Sequence, residues 1–234
     1  MTSYSHIEHL IMDTLGLRRR PVAIAFCDTP PEGVAAFVGS LPSGCSFWKL
    51  AAEGRTFYTV PGDHYNCPIG SYTHNIALPP ERAPELMQTL TTMVEIGYIR
   101  MDEVPTIPRL AATPRVIVYA PLGDTPVDPD AVLVTGEPAR LMLLHEAAAR
   151  SGIGVQPLFG RPTCMAVPAS ATQPVVSSMG CIGNRIYTGL PDSELYTTVG
   201  GKQIHAVAEQ LATVAAANAT LAQYYAARRT LLRT

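Results

Sequence analysis

The chain has 234 residues, 47% of them apolar and 15% charged, with a formal net charge of −2. That composition supports a full hydrophobic core, in one large unit or two small interlocked ones, and offers no basic field to neutralise the phosphates of a nucleic acid. Five cysteines are few for a disulfide-stapled secreted scaffold, no leader-like segment opens the chain, and no run approaches the roughly 20 apolar residues of a spanning helix, so a protein of the reducing cytoplasm with no membrane contact is expected.

Ile7, Leu10, Ile11 and Leu15 recur at helical spacing and stop at Gly16, where a helix can end; Pro21 to Phe26 then reads as a short buried strand. Residues 28–44 are rich in proline and glycine and read as a loop, with one turn at Val34 to Val38. Phe47, Leu50 and Ala51 predict a short helix ended by Gly54, followed by a strand over Arg55 to Val60 and a turn at Pro61-Gly62. A longer helix is expected over Glu81 to Ile96, with Pro84 tolerated in its first turn.

Residues 99–113 change direction repeatedly and serve as the expected linker between a first half, 1–98, and a second half, 114–234. In the second half, strands are predicted at Arg115 to Ala120, Ala131 to Thr135, Pro174 to Met179 and Glu194 to Val199. A helix starts at Pro138 and ends at Gly152, a turn or helix surrounds Cys164, a glycine-containing turn follows Met179, and a long amphipathic helix closes the chain through Ile204, Val207, Ala208, Leu211 and Val214. The alternation predicts an α/β fold, a mixed sheet with flanking helices.

An internal echo runs through this order. Cys45 precedes a strand that begins at Arg55 and leads to Cys67; Cys164 precedes a strand that begins at Pro174 and leads to Cys181. If the halves pack about a pseudo-twofold axis, the four thiols meet in one cleft. Four thiolates form the usual ligand set of an iron–sulfur cluster or a tetrahedral zinc, although no C-x2-C knuckle is present. Gly180 and Gly183 flank Cys181, a setting in which backbone N–H groups can be aimed at a sulfur, and Arg185 could clamp a carboxylate.

Simpler readings stand beside these. A single cysteine is usually a small buried filler, as Cys27 on its apolar strand is expected to be. Thiol catalysis without a cofactor is the rival function, with His64 three residues before Cys67 and able to lower its pKa, although an exposed loop histidine is the commoner case. A haem or small-ligand module using Cys67-Pro68 or a histidine is a third reading. His74 is weighed like His64, and His145, among leucines on a helix, reads as a core histidine. Gly200-Gly201-Lys202 reads as a plain helix start, and Trp48 as packing the Cys45 helix on the sheet. The expected partners are a redox protein or a small molecule, with a homo-oligomer left open.

Pro21-Val22-Ala23-Ile24, Cys45-Ser46-Phe47-Trp48, His64-Tyr65-Asn66-Cys67-Pro68-Ile69-Gly70 and Gly180-Cys181-Ile182-Gly183-Asn184-Arg185 together resemble the bacterial and archaeal domain of unknown function family 169. The resemblance runs from about Leu15 to Val199, and the Cys-x-Gly-x-Arg element at Cys181 is its most specific part. It implies a cytoplasmic prokaryotic protein and brings no reaction with it. The motifs that match hold Cys45, Cys67 and Cys181, which directs attention to a cysteine-centred site.

Overall fold

A computed structural model describes residues 3–158 and 162–232. The helices are α1 (Tyr4–Leu15), α2 (Cys45–Ala52), α3 (Pro68–Thr73), α4 (Ala83–Glu95), α5 (Pro138–Arg150), α6 (Ala166–Ala169), α7 (Ile182–Thr188) and α8 (Ile204–Leu231). The strands are β1 (Val22–Cys27), β2 (Phe57–Thr59), β3 (Val116–Pro121), β4 (Ala131–Gly136), β5 (Val155–Leu158), β6 (Val175–Ser178) and β7 (Leu195–Gly200). All seven form one mixed sheet in the order β2-β3-β1-β4-β7-β6-β5, in which only β5 and β6 pair in parallel.

The inner strands are buried on both faces, and side-chain alternation divides them between two cores. Ala23, Val132, Val134, Val175, Leu195 and Val199 face α1, α5 and α8, where Ile7, Ile11, Leu141, Leu144, Val207 and Leu211 close over them. Val22, Ile24, Ile117, Tyr119, Leu133 and Tyr196 point the other way, against Phe47 and Trp48 of α2 and Val167 of α6. Phe47 and Phe57 both stack on Tyr119 with centroids 5.5 Å apart, and Trp48 meets Tyr196 edge-on at 5.7 Å. Burying each such ring contributes roughly 1.5–3 kcal/mol, so this aromatic group fixes α2 to the sheet as Trp48 led one to expect.

Local chemistry sets the element ends. α1 begins at Ser3, whose hydroxyl accepts from the His6 N–H, and stops at Gly16 in the left-handed region. α5 begins with Pro138 in its first turn. Glu8, nearly buried on α1, accepts from Arg20 at 2.7 Å and from the Gly123 N–H at 2.8 Å, tying the helix to the end of β3.

Several expectations change. Val34 to Val38 is no helical turn: Ala36 makes a parallel bridge to Tyr58, with the Phe37 N–H donating to the Tyr58 carbonyl at 2.7 Å, so the loop covers the free edge of β2. At the opposite edge lies β5, which the sequence reading omitted and which carries Pro157. Cys27 is half-buried rather than core, because it ends β1, where the sheet meets solvent. Residues 99–113 hold a 3-10 turn, Met101–Thr106, and pack on α3: the Tyr72 hydroxyl donates to the Val104 carbonyl, and Arg109 lies 4.2 Å over the Tyr72 ring.

The order helix-strand-helix-strand-helix repeats as α1-β1-α2-β2-α3 and α5-β5-α6-β6-α7. The sheet does not repeat it, since β3 separates β1 from β2 whereas β5 and β6 are direct neighbours.

Gly201 owes its identity to close approach of backbone. Its N–H donates to the Asp130 carbonyl at 2.8 Å, and a Cβ there would fall 1.6 Å from the Pro129 oxygen. Gly201→Ala is therefore expected to cost about 3 kcal/mol, whereas Gly154→Ala, which meets nothing within 4 Å, should stay within about 0.5 kcal/mol of the parent in urea unfolding.

Candidate functional site

Four cysteines gather on the face of the sheet covered by α2, α3, α6 and α7. Cys45 is the first residue of α2, and Cys164 lies in the 3-10 turn Thr163–Met165 that leads into α6; both are buried. Cys67 and Cys181 are partly buried and cap α3 and α7, two short helices that sequence periodicity did not reveal because each is about two turns long and contains glycine. Pro68 follows Cys67 in the first turn of α3, where its missing N–H costs nothing.

The four groups sense one another. Burial pushes the Cys45 thiol well above its usual range, and the neighbouring charges of Cys164, Cys67 and Cys181 add to the rise. Cys164 is raised by burial first, then by Cys67 and Cys181. Cys67 is raised by burial, and the Gly70 and Gly44 N–H groups, which donate to its sulfur, oppose that rise in part. No lysine, arginine or histidine figures among the influences on these three thiols. The sulfurs are neighbours without surrounding a common point: among the described residues, no group of three or more His, Cys, Asp or Glu is set to hold a metal ion.

Polar side chains complete the cluster. Asn184 of α7 donates its amide N–H to the Tyr196 hydroxyl at 3.3 Å and opposes the rise of the Cys45 thiol, and among the described residues its buried Oδ1 has no partner. Thr73 of α3 donates to the Gly70 carbonyl at 2.9 Å and opposes the rise of Cys164, whose sulfur lies 4.0 Å from the Ile69 carbonyl. Thr163 accepts from the Cys181 N–H, so consecutive residues join the Cys164 turn to the α7 cap.

Behind Cys67 lie His64 and His74, their rings stacked at 6.0 Å. Both are 2% exposed, which corrects the reading of His64 as a solvated loop residue. Burial, reinforced by His74, lowers the His64 pKa to about 3; burial lowers that of His74 to about 4 even though the Gly70 carbonyl opposes it. Both rings are neutral at pH 7. His64 therefore supplies no positive charge to activate Cys67, and the expected lowering of that thiol's pKa gives way to a rise. The His74 Nδ1–H donates to the Gly70 carbonyl at 3.0 Å, leaving Nε2 a buried acceptor with no partner among the described residues.

The glycines and arginine around Cys181 act differently from expectation. The Gly180 N–H donates to the Ser178 hydroxyl, not to a sulfur, and Gly180 sits at φ +81° against Asn184 and Arg185. Gly183 lies within α7, beside Tyr187. The sulfur-directed amides belong to Gly44 and Gly70 instead, and an added Cβ on Gly70 would come within 3.0 Å of the Cys67 sulfur. Arg185 spends its donors on the carbonyls of Met179, Pro191 and Glu194, holding the segment after β6 against the start of β7, with Asp192 3.7 Å away. Asn184, Thr73 and Thr163 were not singled out from the sequence, since hydroxyls and amides become site residues only through the turns that aim them; His64 and His74 were, but their burial was not legible.

No solved structure matches the chain. An uncharacterized protein of Methanocaldococcus jannaschii is 26% identical over 177 residues, covering 71% of this chain and 75% of its own length. The family described as uncharacterised ArCR, domain of unknown function 169, matches residues 10–210, a span that contains α2, α3, α6, α7 and all four cysteines of the cluster. The chain therefore belongs to the uncharacterised ArCR family, domain of unknown function 169.

Proposed function

We propose that Cys45, Cys67, Cys164 and Cys181 bind a thiophilic metal centre, an iron–sulfur cluster in the first instance and zinc as the alternative occupant of the same sulfurs. What supports this reading is that the four thiols form one cluster in which burial raises Cys45, Cys67 and Cys164 and no cationic side chain lowers them. A nucleophilic cysteine needs electropositive surroundings to become a thiolate. Among the described residues that charge is lacking, and it would come with a bound cation, which displaces the thiol protons.

The donor chemistry suits such an occupant. Soft sulfur ligands select iron–sulfur clusters and zinc, and the amides of Gly44 and Gly70, aimed at Cys67, are hydrogen bonds of the kind that tune ligand sulfurs. As placed, the side chains do not ring a single point, so binding would draw the turns together. A cluster would make the protein a redox carrier or redox enzyme of the reducing cytoplasm, where five free cysteines remain thiols. Among the described residues, no helix is long and apolar enough to cross a membrane.

Anaerobic reconstitution with iron and sulfide, followed by absorption spectroscopy and elemental analysis, tests the assignment. The loaded chain should show a broad visible band that Cys181→Ser removes, with a melting temperature in the loaded state lower by more than about 5 °C. A colourless chain that takes up neither iron nor zinc, and whose Cys181→Ser variant melts as the parent does, would shift the function to thiol chemistry.

The metal-free chain should have two pH limbs. Cys45, Cys67 and Cys164 have folded-state pKa values above the ordinary 9.0, so the stability they contribute is present below pH 9 and lost as pH rises past it. His64 and His74 have folded values below 6.5, so their contribution is present above pH 6.5 and lost as pH falls toward about 4 and then about 3. Urea midpoints should form a plateau between these limits. Metal loading should shrink the alkaline limb by the share of Cys45, Cys67 and Cys164, because bound thiolates have no proton left to lose, and leave the share of the raised Cys27 and Tyr196; a limb unchanged by loading would count against the thiols as ligands.

A further inference from the structure

Across the sheet from the cysteines, α5 and the strands β5, β6 and β7 enclose a cavity of about 220 Å³. Leu141, Pro157 and Leu195 form its apolar walls, and Met142 and Met179, 45% and 46% exposed, flank it where it meets solvent. One end is polar. The His145 Nε2 lies 2.6 Å from the Ser177 hydroxyl and 3.0 Å from that of Thr197, and the two hydroxyls are 2.8 Å apart.

We propose that this cavity binds a small uncharged molecule, an apolar body of about phenol size bearing a single hydroxyl or carbonyl group that hydrogen-bonds the Ser177–His145 end.

Three observations carry the assignment. An apolar cavity of about 150 Å³ accommodates benzene, so 220 Å³ leaves room for a ring with a short substituent. No described residue lining the cavity is an aspartate, glutamate, lysine or arginine, so a charged ligand would be buried without a counter-charge. The polar end is itself neutral: burial lowers the His145 pKa, and the remaining groups are hydroxyls. Such an end can serve an incoming hydroxyl or carbonyl by small rotations. Ser177 and Thr197 each have one proton and two lone pairs, more capacity than their mutual contacts and His145 use.

This differs from a filler role for His145. A core histidine satisfied by two hydroxyls would sit equally well in a closed core, whereas here the imidazole and Ser177 line an opening. The site is also independent of the thiols. Alternate residues of β6 face opposite sides of the sheet, which turns Ser177 away from the cysteine-bearing face and toward α5.

Methionine methyl groups report on the cavity directly. In the full chain labelled with [¹³C-methyl]methionine, Met142 and Met179, assigned through Met142→Leu and Met179→Leu, should shift saturably with p-cresol and with cyclohexanol, while methionines outside the cavity stay still. Ser177→Ala, nearly isosteric, should weaken p-cresol by about 3- to 10-fold and leave toluene within about 2-fold of its parent affinity. Where Ser177→Ala disturbs the fold, the parent's own preference for p-cresol over toluene carries the test. The proposal is overturned if neither methyl responds at millimolar probe, if toluene equals p-cresol in the parent, or if benzoate binds more tightly than p-cresol.

Discussion

The antiparallel seam between β1 and β4 is the constraint on which the arrangement depends. Only Val22, Ala23 and Ile24 pair across it, with Leu133, Val132 and Ala131. That short ladder joins β2-β3-β1 to β4-β7-β6-β5, and without it the Cys45 and Cys67 helices would not share a face with the Cys164 and Cys181 turns. The pairing holds because every residue in it is buried from both sides, Val22, Ile24 and Leu133 by the aromatic core and Ala23 and Val132 by the three-helix core. On the three-helix side the small Ala23 sits beside Val132, while Val22, Ile24 and Leu133 fill the aromatic layer together with Ala131.

One electrostatic rule governs both faces. Interior acids are raised and interior bases are lowered, so Cys45, Cys164, His64, His74 and His145 all rest uncharged at neutral pH. Desolvation is the first cause of each of these shifts, and the ion pairs Arg20 with Glu8 and Asp124, and Arg19 with Glu194, do not figure among their causes. A neutral cluster of soft sulfurs and a neutral cavity with a hydroxyl end are two products of the same condition. They differ in what we propose that each accepts, a cation that displaces protons in one case and an uncharged molecule in the other.

Sequence reading recovered the elements whose periodicity is long enough to stand out. α1, α5 and α8 were legible through spaced Ile, Leu and Val, and β1, β3, β4 and β7 through short apolar runs bounded by glycine or proline. The mixed sheet with flanking helices follows from that alternation. Lost were α3 and α7, where glycine and polar residues erase the helical stripe although a cysteine caps each one, and β5, in which Gln156 and Pro157 break a strand pattern that only pairing with β6 establishes. The cysteines stood out in the sequence through the residue order around Cys45 and Cys164, an echo that the sheet does not repeat. Burial of His64 was not, since it depends on Thr59, Phe47 and His74 arriving from three separate segments.

The two margins of the sheet carry a consequence of their own. Strands that end a sheet expose unused amide and carbonyl groups, the templates from which intermolecular β-stacking grows. Here β2 is three residues long and bridged by Ala36, and β5 is four residues long with a proline that withholds one donor. Among the described residues of a chain that is 47% apolar, neither margin thus offers a long, flat ribbon on which another molecule could zip up. The blunting at each edge works against strand-by-strand growth of fibrous deposits.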